Sequence, residues 1–243
     1  MRLKIIIPVF LLFLVPSFLV SAQQETYDVS GKELKNLTIG MTYDEVVQTL
    51  QEQGIQLNPN KRRGLVKNDI GALYKLDFPQ GSKEYYLIQE AEYQNDKGLT
   101  EVLRVGFTHP LPDKPQQLME VYYKGRLGPD VKVEDMIEKI KSRYGEPDKS
   151  WLGTKGKAEL RYGTFKSHPN FPLWATKMYE PGNVGIDVSI YTADSSATYP
   201  GFVIHMGNDD MFFARSNEVH AVQKAMQDAV EAKRVKDKSV SDF

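Results

Sequence analysis

The stretch QLMEVYYKGRL, residues 117–127, decides the reading of the fold. Met119, Val121 and Tyr123 alternate with Glu120, Tyr122 and Lys124. A period of two with one apolar side is the pattern of a half-buried antiparallel strand. Upstream, EVLRVGF (101–107) repeats it with Leu103, Val105 and Phe107 on one side. EYYLIQEAEY (84–93) and GALYKLDF (71–78, with Tyr74, Leu76 and Phe78 on one side) read as two further strands. The connections FPQGS, QNDKG and HPLPDKP carry turn residues. These strands are therefore expected to be antiparallel, with one covered and one polar face.

Before the strands stands LTIGMTYDEVVQTLQEQGI, residues 37–55. Thr42 followed three residues later by Glu45 is a capping box, Val46, Val47 and Leu50 follow at helical spacing, and Gly54 stops the run. The spacing predicts a helix over 42–53. After residue 128 the order starts again. GPDVKVEDMIEKIKSRYGEPDK gives a helix with the stripe Val133, Met136, Ile137 and Ile140, stopped by Gly145 and Pro147. KAELRYGT (157–164), PLWATKMYE (172–180), VGIDVSIYT (184–192) and GFVIHMGN (201–208) read as strands. The sequence thus predicts an α+β fold of two tandem αββββ modules, residues 31–128 and 129–215. A closing helix over 216–236 follows, with Ser216 as its candidate cap. One continuous sheet shared by both halves is the alternative arrangement. Residues 23–35 read as a loose tail.

The helix entry IGMTYDEVVQTL, through Gly40, Met41, Thr42, Glu45 and Val46, resembles that of the SmpA/OmlA outer-membrane assembly lipoproteins, which are similar in fold to the β-lactamase inhibitor proteins. KIKSRYGEP is similar to a helix exit in such repeats. The resemblance implies small helix-on-sheet modules, an envelope setting and protein-binding relatives. It implies no catalytic residues. The lipid-bearing Cys of that family has no counterpart here.

The N-terminus reads as a secretory leader: Arg2 and Lys4, the apolar run Ile5 to Val15, then Val20-Ser21-Ala22, with cleavage expected after Ala22. The apolar run is shorter than the ~20 residues a spanning helix requires, and no later segment is long and apolar enough. The expected address is periplasmic or secreted. The 243 residues hold 31 Lys+Arg against 32 Asp+Glu. Losing Arg2 and Lys4 with the leader leaves 29 basic against 32 acidic, without the basic footprint of a nucleic-acid binder. The absence of Cys excludes disulfides, thiolate nucleophiles and Cys-based metal sites.

Among four histidines, His109 and His168 precede prolines in loops, and His220 lies on the last helix beside Val219. His205 alone falls on a strand, its side opposite Phe202, Ile204 and Met206. Asp187 occupies the matching polar side of the preceding strand and could orient His205 as a base for Ser189 or Ser195. No nucleophile-elbow motif accompanies it, and a cross-strand His–Asp contact explains the same pattern. Asn208-Asp209-Asp210 and Asp194 lack the D-x-D-x-D-G order of a calcium loop and read as turn and helix-start residues. WLGTKGK (151–157) reads as a hairpin or loop, not a phosphate cradle, and Lys61-Arg62-Arg63 as a solvated basic loop.

The sequence therefore points to an exported, soluble, non-enzymatic protein that binds a partner protein of the cell envelope. No cofactor, metal or nucleic acid is expected. The expected contact residues are Arg104 and Tyr122 of the first half with Arg161, Asp187, Tyr191 and His205 of the second, since Tyr and Arg dominate interface hot spots. A pocket for a small molecule or lipid between the halves, or a hydrolase site, is the alternative.

Overall fold

The computed structural model describes residues 27–60, 62–65, 86–111, 113–128, 130–153, 157–164, 181–191 and 200–241. The expected strands at 71–78 and 172–180, the leader, His168, Asp194 and Ser195 lie outside these residues.

The chain starts with a short hairpin, β1 (Glu33–Leu34) and β2 (Leu37–Thr38). Lys35 and Asn36 between them both take positive φ, 55° and 57°, the geometry of a two-residue type I′ turn. Helix α1 (Tyr43–Glu52) follows. Strands β3 (Arg62–Leu65), β4 (Tyr86–Gln94), β5 (Thr100–Phe107) and β6 (Leu118–Arg126) precede helix α2 (Val133–Tyr144). Then come β7 (Lys149–Gly153), β8 (Lys157–Gly163), β9 (Val184–Tyr191), β10 (Gly201–Asn208) and helix α3 (Asp209–Ser241). The fold is α+β, with a large antiparallel sheet, the small hairpin and a C-terminal helix.

The large sheet is continuous, in the order β3-β4-β5-β6-β10-β9-β8-β7. One helix precedes each set of four strands, and the two sets meet where β6 pairs antiparallel with β10. Its core side carries Ala91, Leu103, Val105, Val121, Tyr123, Ile204, Ile186, Val188, Ile190, Leu160 and Tyr162. They cluster with Val46 and Leu50 of α1 and with Val133, Ile137, Ile140 and Tyr144 of α2.

Helix α1 forms because both its ends are satisfied locally. Thr42 Oγ1 accepts from the Glu45 amide, and Glu45 Oε2 accepts from the Thr42 amide at 2.7 Å. At the other end Gly54 sits at φ +71°, the Gly54 amide donates to Gln51 and the Ile55 amide to Leu50. That is the Schellman pattern, with Ile55 and Leu50 both in the core.

Three expectations are corrected. The tail is not loose throughout: Val29 and Leu34 are buried, and Tyr27 packs against Tyr162 with ring centroids 5.9 Å apart. Lys35 pins the hairpin to the sheet, 3.0 Å from Glu101 Oε2 and over the Tyr123 ring. Burial raises the Glu101 carboxyl, but hydrogen bonds with Tyr123, Asn95, Lys35 and Tyr93 outweigh it and hold the group below the usual carboxylate range. Second, the last helix begins at Asp209, not Ser216, because β10 runs straight into it and Asp209 and Asp210 complement its N-terminal dipole. From residue 220 to 235 its side chains are exposed or half-buried. Third, β7 and β8 form the hairpin expected of WLGTKGK, but Arg62 and Arg63 open a short edge strand rather than a loop.

Candidate polar row and the open margin of the sheet

Strand alternation places odd-numbered and even-numbered neighbours on opposite faces. On the face away from the core, the register lines up one residue from each of seven adjacent strands. Glu90 faces Arg104, Arg104 faces Tyr122, and Tyr122 faces His205. His205 then faces Asp187, Asp187 faces Arg161, and Arg161 faces Lys149. Five of the six sequence-derived contact residues, Arg104, Tyr122, His205, Asp187 and Arg161, thus stand in a single row. Tyr191 lies on the same face four residues along β9 from Asp187, opposite Lys157.

The row is neutralised internally. Arg104 Nε donates to Glu90 Oε2 on one flank, and Arg161 Nε donates to Asp187 Oδ1 at 3.0 Å on the other. The Arg104 guanidinium lies 5.1 Å from the Tyr122 ring centre, and the Tyr122 ring meets His205 edge-on at 5.8 Å. The carboxylate on His205 Nε2 is Glu120 of β6, and Asp187 is committed to Arg161. Burial pushes the Asp187 carboxyl up against the opposing pull of Arg161. Burial likewise raises the Tyr122 phenol.

The next row along the same face is almost bare. Gly106 and Gly207 flank Glu120, Gly185 follows Gly207, and Gly163 follows Gly185. A Cβ on Gly106 would come within 3.2 Å of the Glu120 Cβ, so glycine there makes room for the Glu120 side chain.

The expectation of a solvated docking face fails at its centre. Tyr122, Asp187 and His205 are 6%, 3% and 1% exposed, and Glu120 is 3% exposed. A partner cannot reach them in this structure. Polar groups tolerate such burial because they are paired with one another. The accessible part of this face includes its margin: Lys124 and Arg126 at the end of β6, exposed Glu92 of β4, and half-buried Tyr191, Lys157 and Glu159. Lys157 Nζ lies 5.6 Å from the Tyr191 ring centre and 5.3 Å from that of Trp151. It also pairs with Glu159 at 2.7 Å.

Of the two other described histidines, His109 and His220, only the first packs against the last helix. The carbonyl of His109 accepts from Arg215, and its ring lies 6.0 Å from Phe212, while His220 is exposed. Asp209 accepts from Asn183 and Asp210 from the Gly182 amide, each at 2.6 Å, which ties the helix start to the turn that leads into β9. Among the described residues, no three His, Cys, Asp or Glu side chains converge as metal ligands would. No described helix is long and apolar enough to cross a membrane. A cleft of about 360 Å³ lies beside α1 between Tyr43, Leu50 and Leu57, and one of about 300 Å³ between Tyr27, Ile39 and Met211.

Sequence reasoning does not reach Glu90, Arg215 or Trp151. Glu90 was recoverable, since its strand alternates. Arg215 and Trp151 draw their roles from neighbours distant in the chain. Compared with protein-family models, with curated proteins and with solved structures, the chain finds no match in any of the three.

Proposed function

We propose that this is an exported, non-enzymatic binding protein. It docks an acidic surface of a cell-envelope protein on the open margin of its polar face. In this reading the leader directs export to the periplasm with cleavage after Ala22. The two halves are a repeat of one αββββ unit, one strand more than the three usual in the SmpA/OmlA-like modules that the helix entry resembles. The observation that carries the docking site is the division of the polar face. Its centre is buried and charge-paired, which leaves Tyr191, Lys124, Arg126 and Lys157, with the carboxylates of Glu92 and Glu159 on the same face, as its accessible chemistry. An amphipathic ring among cations suits a partner carrying carboxylates, through burial of the ring and charge complementarity at the rim.

The test is affinity capture from the envelope of the producing cell, followed by direct titration of the recovered partner. A variant carrying Lys124→Glu, Arg126→Glu and Tyr191→Ala, checked by circular dichroism to be folded, is expected to bind at least about 30-fold more weakly. The wild-type affinity is expected to fall with added salt. A folded triple variant that binds as tightly as wild type overturns the assignment of this margin. Tyr122 does not belong in that test, because at 6% exposure its removal perturbs the fold first.

A further inference from the structure

The small hairpin stands apart from the large sheet: among the described residues β1 and β2 pair only with each other. It is the middle of a segment, residues 27–41, that lies along the core side of the sheet and touches both halves. On the second half the Tyr27 ring packs against Tyr162 of β8, and Tyr27 Oη donates to the Tyr144 carbonyl at 3.4 Å. Gly163 makes room for Tyr27, since an added Cβ would come within 2.6 Å of the Tyr27 Cβ. Tyr144 Oη of α2 donates to the Glu33 carbonyl at 3.0 Å. On the first half Lys35 joins Glu101 of β5, with its ammonium 4.7 Å from the Tyr123 ring centre and 5.5 Å from that of Tyr93. The Gly40 amide donates to the Leu118 carbonyl at 2.8 Å, and the Leu118 amide to the Met41 carbonyl at 2.7 Å. Between these ends Val29, Leu34, Leu37 and Ile39 are buried in the common core.

We propose that residues 27–41 form a strap that closes last in folding and then locks the two halves to each other. The backbone ladders of the large sheet lie outside the segment, so the sheet can assemble while the strap is free. The groups that hold the strap to β5 and to α2 stand 66 to 117 residues further along the chain. Docking before the sheet has gathered them would carry the entropy of closing those loops, and docking afterwards would not. Once docked, the buried side chains between its ends make the strap release as one unit, a local opening well short of global unfolding. In an exported chain the strap leaves the membrane just behind the leader, ahead of every group it docks on. The fold then stays open until the stretch up to Gly163 has crossed. That use rests on the export proposed above; the strap itself and its test do not.

Stopped-flow folding of the mature chain tests the order of events. Tyr27→Ala and Lys35→Ala are each expected to speed unfolding, Tyr27→Ala by at least about 10-fold, with refolding rates within about 2-fold of wild type. Val121→Ala, in the middle of the sheet core, is expected to slow refolding instead. Hydrogen exchange tests whether the strap is one unit. Tyr27→Ala should speed exchange of the Gly40 and Leu118 amides, at the other end of the strap, by about 10-fold, while the paired amides of β9 and β10 keep their protection. Refolding slowed by the Tyr27 or Lys35 variant as much as unfolding is quickened overturns the proposal. So does unchanged exchange at Gly40 and Leu118 in Tyr27→Ala. A Tyr27→Ala chain that does not fold overturns it as well, because the body is expected to stand with its strap loose.

Discussion

Arg215 offers the sharpest test of how the last helix is held. Its side chain is buried, 6% exposed, in the second turn of α3. Nη1 donates to the carbonyls of His109 at 2.9 Å and Pro115 at 3.1 Å, and Nη2 donates to Gln117 Oε1 at 3.1 Å. Glu218, one turn on, lies 3.3 Å from Nε but is 41% exposed and adds little. One guanidinium thus fastens the helix to the loop between β5 and β6. Burial lowers its pKa, the mark of a cation taken out of water. Arg215→Met keeps most of the stem and removes the fork. Each acceptor left without a donor costs about 1–3 kcal/mol, and relief of the buried charge returns part of that. A net loss of about 3 kcal/mol is expected, which for a domain of this size lowers Tm by roughly 6–12 °C. Arg215→Lys should fall between the two, because an ammonium cannot reproduce the fork geometry. Urea denaturation gives the free energy, and hydrogen exchange of residues 108–117 shows whether the loop loosens. A Met variant within about 0.5 kcal/mol of wild type, with unchanged exchange in that loop, would refute this account of the anchor.

Two further outcomes follow from the same physical terms. Leu50→Ala empties a fully buried site beneath α1 and should cost about 2–5 kcal/mol, whereas Thr42→Ala removes an exposed cap and should cost about 0.5–2 kcal/mol; a reversed order in denaturant melts would contradict the buried face assigned to the helix. The Asp187 carboxyl is raised by burial, so its charged form is disfavoured in the folded state. Measured against Asp187→Asn, the wild type should therefore lose stability as pH rises from the ordinary aspartate value through the raised one, and a shift of the difference in the opposite direction would show that Arg161 outweighs burial.

The amino-acid sequence by itself determined what depends on neighbours close in the chain. Thr42 and Glu45 are three residues apart, so the capping box of α1 is written locally, as is its glycine exit. Alternation along β5, β6, β8, β9 and β10 assigned each side chain to a face, because successive Cβ atoms on a strand point opposite ways whatever the strand pairs with. That alone brought Arg104, Tyr122, His205, Asp187 and Arg161 to one side of the sheet. Alternation does not say what lies over a face, and tertiary structure decided that the centre of this one is buried. Nor does it say which strands are neighbours. His205 and Glu120 are 85 residues apart and meet because β6 pairs with β10, so Glu120 rather than Asp187 took the imidazole. The grip of Arg215 on a loop about 100 residues away and the place of Trp151 on the last strand in the sheet order have the same origin. Each depends on strand order and on which strand is left at the edge of the sheet, and those follow from the packing of the whole chain rather than from any one segment.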